Sequence, residues 1–162
     1  MWAAGTNPDI KKVPNIFQAN GYWAVSKELG DVLRQFDLGQ TKFYPVELFC
    51  KDKVTPIKGT HEFLNLFERK DTFEPELSAK FRESRYHPPG TYFAPYAEGG
   101  DYELTLNSSA LSGPDLWLET KLHEALLLSD RLVKALEAAG FAKEMRLLKC
   151  RVSSQPQRLS TT

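Results

Sequence analysis

A short pattern occurs two times in this chain, about a hundred residues apart, and limits the fold more than any other feature. Residues 22–39 read Tyr-Trp-Ala-Val-Ser-Lys-Glu-Leu-Gly-Asp-Val-Leu-Arg-Gln-Phe-Asp-Leu-Gly. Residues 125–140 read Ala-Leu-Leu-Leu-Ser-Asp-Arg-Leu-Val-Lys-Ala-Leu-Glu-Ala-Ala-Gly. Each opens on four apolar residues, which suits a buried strand. Ser26 and Ser129 follow, and a serine there can cap a helix because its hydroxyl accepts an otherwise unpaired backbone N–H. Glu28 and Asp130 place negative charge at the positive end of the helix dipole. Leu29, Val32, Leu33 and Phe36, then Leu132, Ala135, Leu136 and Ala139, fall on one side of a 3.6-residue period. Gly39 and Gly140 lie where a left-handed residue would end each helix.

The spacing thus predicts helices over residues 26–38 and 129–139, with returning strands over 42–49 and 145–152. Pro45 cannot donate a ladder hydrogen bond, so the first returning strand is expected at a sheet edge or a bulge. The expected class is α+β: a mixed or antiparallel sheet with two strand–helix–strand units packed on one core. A chain of 162 residues accommodates this as a single domain over residues 1–152 with halves at about 16–67 and 91–152. Residues 153–162, Ser-Ser-Gln-Pro-Gln-Arg-Leu-Ser-Thr-Thr, lack core-forming side chains and read as a flexible tail.

Between the halves, residues 60–67 read as a further strand. Residues 68–89 are charged and broken by prolines, with at most a short helix around 78–84. Tyr92 to Tyr96 and Tyr102 to Leu106 flank Glu98-Gly-Gly-Asp101, which predicts a hairpin because both glycines accept positive φ. Ser112-Gly-Pro-Asp115 predicts a turn, and Leu116-Trp-Leu118 a short strand or a helix start.

Composition narrows the function by exclusion. Twenty-one basic residues balance twenty-one acidic ones, so the basic excess of a duplex-binding surface is missing and nucleic acid is not an expected partner. Cys50 and Cys150 are isolated thiols, which suits apolar filler in a reducing compartment. Residues 1–12 lack the apolar run of a signal peptide, and no stretch approaches membrane-spanning length. A cytoplasmic location without membrane contact is expected.

No chemistry-bearing constellation assembles in sequence. His61, His87 and His123 lack metal-ligand spacing, and no Cys-x-x-Cys accompanies them. No Gly-x-Ser-x-Gly elbow or glycine-rich phosphate loop is present. Asp115, Glu119 and Lys121 imitate the acidic elements of a metal-dependent nuclease. The two acids are only four positions apart, however, too close to converge from neighbouring strands on a magnesium ion. The expectation is no catalytic residue, no metal and no cofactor.

What remains is surface. Tyr96, Glu98, Asp101, Tyr102 and Glu103 interleave acids with aromatics, and Glu68, Asp71, Glu74 and Glu76 add a second acidic run diluted by Arg69 and Lys70. Such a face could steer and plug a basic protein partner. The other reading is an ordinary solvated face with tyrosines packed beneath it.

Residues 22–29, Phe36-Asp-Leu-Gly-Gln40 and Tyr44-Pro-Val-Glu47 resemble the first half of immunity protein family eleven. Leu111-Ser-Gly-Pro-Asp-Leu-Trp117, Leu128-Ser-Asp-Arg-Leu132 and Ala138-Ala-Gly140 resemble its second half. The resemblance covers about residues 16–152 and is loosest over 51–95. It implies a bacterial, non-enzymatic chain that neutralises a cognate toxin, the C-terminal domain of a secreted effector, by occluding its active site. A regulatory binding module without a toxin, and an enzyme with an unrecognised site, are the alternative readings.

Overall fold

A computed structural model describes residues 13–19, 21–50, 52–93, 100–123 and 125–154. In chain order its elements are β1 (Ile16–Ala19), β2 (Tyr22–Ser26), α1 (Lys27–Leu33), β3 (Lys42–Val46), β4 (His61–Asn65), β5 (Arg69–Lys70) and β6 (Arg82–Glu83). They continue with β7 (Tyr92–Phe93), β8 (Thr105–Leu106), β9 (Leu116–Glu119), β10 (Leu126–Leu128), α2 (Asp130–Ala138), α3 (Ala142–Met145) and β11 (Arg151–Val152). The class is α+β, with mostly antiparallel pairing. Among the described residues no helix is long and apolar enough to cross a membrane.

The first half forms an antiparallel sheet in the order β1-β2-β4-β3. Strand β2 lies inside it, and Ala24 and Val25 are wholly buried, as the apolar run requires. Strand β3 lies at the edge, where Pro45 removes no ladder bond from a second neighbour. The Ser26 hydroxyl accepts the Leu29 N–H at 3.3 Å, capping α1 as expected. Inside α1, Gly30 lies against the sheet: a Cβ there would come within 2.7 Å of Glu62 Oε2.

The helix stops at Leu33, short of the expected residue 38. Gln35 and Phe36 donate to the carbonyls three residues back, tightening the exit. Asp37 then draws the chain away: its side chain accepts the Gly39 N–H at 2.9 Å and its carbonyl accepts the Asp115 N–H at 2.6 Å. Gly39 has φ +56° but is not the helix cap. A side chain there would collide with the Glu68 carboxylate, which accepts the Gln40 N–H at 2.7 Å.

The second half begins the same way. The Ser129 hydroxyl accepts the Leu132 N–H at 3.2 Å. Helix α2 ends on Gly140, at φ +82°, where Gly140 N–H reaches the Glu137 carbonyl and Phe141 N–H the Leu136 carbonyl. That pair of bonds is a Schellman end, so this glycine caps as expected.

The returning strand expected over 145–152 is a correction. Phe141, Ala142 and Met145 pack on the main core, and α3 carries them there before Arg146, at φ +49°, ends it. Only Arg151 and Val152 are extended, and they pair parallel with β8. The similarity of the halves therefore covers a strand and a capped helix, and the strands that follow go to different sheets. Leu29 and Leu33 of α1 share one core with Leu132 and Leu136 of α2, joined by Val25, Leu38, Leu64 and Leu116. Leu106, Ala110, Trp117 and Leu127 form a smaller cluster.

The middle departs furthest from expectation. Residues 94–99 of the predicted hairpin lie outside the described residues; of the described parts of its strands, β7 pairs with β6 and β8 pairs with β11. The helix expected around 78–84 is replaced by a 3₁₀ turn at Pro75–Leu77 followed by β6. Residues 105–106 also take a bridge from Phe73 and a bond from the Ser153 N–H. Ser153 is thereby tied in, and residues 155–162 of the expected tail lie outside the described residues. Strand β9 lies between β10, antiparallel, and β5, parallel.

Candidate interaction surface and cleft

Of the nine residues expected on an acidic–aromatic face, Tyr96 and Glu98 lie outside the described residues. Glu68 and Asp71 flank β5 and are occupied internally, Glu68 by the Gln40 N–H and Asp71 by Lys121 Nζ at 2.8 Å. The other five come together on three hydrogen-bonded segments. Glu74 N–H donates to the Thr105 carbonyl, the Thr105 hydroxyl to the Leu77 carbonyl, and Ala79 N–H to the Glu103 carbonyl. Tyr102 N–H donates to the Lys149 carbonyl at 2.6 Å, and Lys149 N–H returns to Asp101 Oδ1 at 2.9 Å.

Within this group, Glu103 is tied to Lys80 Nζ at 2.7 Å and to the Gly100 N–H, and the Lys80 hydrogen bond holds its carboxyl below the usual range. The Glu74 and Glu76 carboxylates have no partner among the described residues. On the same hydrogen-bonded segments, Leu77, Tyr102, Leu148 and Val152 are each between 42% and 54% exposed. Exposed large apolar side chains on adjoining segments suit a contact with another protein.

The nuclease-like acids are structural. Asp115 is 1% exposed, and its carboxylate accepts from Arg131 Nε at 2.5 Å, Arg131 Nη2 at 2.7 Å, the Ser129 hydroxyl at 2.5 Å and the Asp37 N–H at 3.0 Å. It thereby joins the exit of α1 to the start of α2. Glu119 is 2% exposed and accepts from the Thr72 N–H, the Thr72 hydroxyl and the Lys121 N–H. Both carboxylates lie on β9 or at its start with their acceptor sites filled, which leaves them structural work.

His61 is buried beside the Phe17 ring, and burial pulls its pKa down. The His87 and His123 rings lie tilted to one another with centres 4.5 Å apart, and each meets the Phe93 ring edge to face. The Cys50 and Cys150 thiols are free, and burial pushes Cys150 up.

Sequence reasoning missed a cleft of about 410 Å³ between the two larger sheets. Gln18 and Tyr22 from the β1–β2 hairpin, Trp23, Leu64 and Asn65 reach it from one side; Arg69, Leu118, Thr120 and His123 reach it from the other. One signal was present: Asn20-Gly21 is a hairpin dipeptide, and Ala19 pairs with Tyr22 across it. Arg69, read in sequence as diluting an acidic run, has no side-chain partner among the described residues. Its neighbour Lys70 is held by the Ser112 and Pro114 carbonyls and lies over the Trp117 ring.

Residues 6–149 match the model of a family described as Immunity protein family (Imm11), and the chain belongs to that family. No curated protein matches it.

Proposed function

We propose that this member of the immunity protein family protects a bacterial cell by binding a toxin in the cytoplasm and covering its active site or substrate path. The observation that carries the reading is the family match across residues 6–149. A direct protein contact is supported by the exposed Leu77, Tyr102, Leu148 and Val152 on segments hydrogen-bonded to the one that carries the open carboxylates of Glu74 and Glu76. Apolar side chains supply affinity in such a contact, and the acids favour a basic partner and speed its approach. The toxin is the C-terminal domain of a secreted effector in this reading. The deciding experiment co-expresses the chain with the toxic domain encoded beside its gene. Growth is expected; cells that die as fast with the chain as without it would overturn the proposal.

The same assay locates the surface. Asp101 and Glu103 hold their own segment together, so charge reversal there would disturb the fold as well as the contact. Glu74→Lys with Glu76→Lys is the cleaner change. It should weaken toxin binding about tenfold or more, chiefly through slower association, with an unchanged melt. Surface plasmon resonance at two salt concentrations reads this, and unaltered association would move the contact elsewhere.

A further inference from the structure

The cleft between the sheets carries a cation that the fold itself does not use. Glu119, the acid in its wall, is buried with its oxygens filled by Thr72 and Lys121 N–H groups. Arg69 lines the open mouth of the same cleft as an exposed residue, with no hydrogen bond or ion pair from its guanidinium among the described residues. Trp23, Leu64 and Leu118 supply an apolar wall next to it, and Asn65 and Thr120 add neutral polar groups. A guanidinium offers a planar fork that matches a carboxylate through two parallel hydrogen bonds. At about 410 Å³ the space lies at the small end of ligand pockets and holds one or two side chains.

We propose that this cleft is a receptor for a carboxylate borne on an apolar body, its occupant being an acidic side chain of the partner protein next to an apolar one. The identity of the partner rests on the toxin-neutralising reading; the chemistry of the cleft does not. The cleft takes an acid from the partner, whereas Glu74 and Glu76 offer acids to it. Two contacts of opposite sign fix a binding orientation more tightly than either one, because a rotated partner meets like charge.

The chemistry is tested on the whole chain labelled with ¹⁵N and titrated with sodium phenylacetate, using phenylacetamide as the neutral isostere. Saturating shifts are expected at the Asn65, Arg69 and Thr120 amides, with phenylacetamide about tenfold weaker or more. Arg69→Gln should abolish the difference, and Arg69→Lys should retain part of it. Equal shifts from both probes, or a phenylacetate response that survives Arg69→Gln, would overturn the receptor. The occupant is tested by co-expression with the neighbouring toxic domain. Loss of protection by an Arg69→Glu chain with a normal melt supports a protein carboxylate. Full protection by that chain, with phenylacetate still binding the native one, would overturn the protein occupant and assign the cleft to a free small carboxylate. A native chain that gives no protection sinks the toxin reading instead, while the titration still decides the cleft.

Discussion

Helices α1 and α2 begin alike and end differently. Each starts on a serine that caps the third residue beyond it, and each buries two leucines in the same core. At the far end α2 closes on Gly140 with two nested hydrogen bonds, whereas α1 unwinds early and its exit is fastened to Asp115 from the other half. The difference teaches that a helix start is a local matter and a helix stop need not be. A cap requires one hydroxyl within four residues; the α1 exit requires a carboxylate 78 positions away.

The largest test of the shared core is leucine truncation. Leu33→Ala in α1 and Leu136→Ala in α2 should each cost about 2–5 kcal/mol by urea unfolding, since both would leave cavities under buried helices. A loss confined to one of them would mean that the two helices do not rest on a common core.

Next in size is Asp115, the tie between the halves. Asp115→Ala should cost about 2–3 kcal/mol, below the figure for a fully enclosed ion pair because Arg131 is 65% exposed to screening solvent. Burial alone would raise the Asp115 pKa, but hydrogen bonds from Arg131, Ser129 and the Asp37 N–H, with the Arg131 charge, outweigh it and hold it below the ordinary 3.8. A carboxyl with a lowered folded pKa stabilises at pH above its unfolded value, and that contribution is lost as pH falls through the folded value. Unfolding at pH 7 and at pH 3 should therefore differ less in Asp115→Asn than in the native chain. Equal acid sensitivity would show that other carboxyls dominate.

The two glycines sharpen the contrast at the helix ends. Gly140→Ala meets only the left-handed backbone cost, about 1–2 kcal/mol, because nothing lies within 4 Å of the new methyl group. Gly39→Ala adds a collision with Glu68 and should cost more. Combining it with Glu68→Ala should return part of the loss, and a strictly additive double-mutant cycle would refute the contact.

Smallest are the caps. Ser26→Ala should lower stability by about 1 kcal/mol. Ser129→Ala should lower it further, because that hydroxyl also donates to Asp115. Equal melting shifts would remove Ser129 from the tie.

Much of the frame was legible because it is local. The apolar runs at 22–25 and 125–128, both serine caps and the edge position of the Pro45 strand follow from neighbours within a few residues. The partner of β8 was not legible for the same reason: β8 is taken by β11 from 46 residues away. Two-residue strands such as β5 and β8 show no periodicity to read. Asp115 looked like a turn residue, since its burial depends on Arg131, Ser129 and Asp37 arriving together. Arg69 has a sequence context of alternating charge, and only the pairing of β5 with β9 brings it to the cleft.

Gly30 has a practical consequence for anyone redesigning the chain for hardiness. Rules that raise helix propensity single out a mid-helix glycine for replacement by alanine, worth up to about 1 kcal/mol on an open surface. Here a methyl group would meet the tips of two paired side chains, Glu62 Oε2 at 2.7 Å and Arg34 Nη1 at 3.0 Å, so the Arg34–Glu62 ion pair has to shift to admit it. The improvement written in the propensity tables is offset by whatever that ion pair loses in moving aside, so the smallness of this glycine serves the charges opposite it.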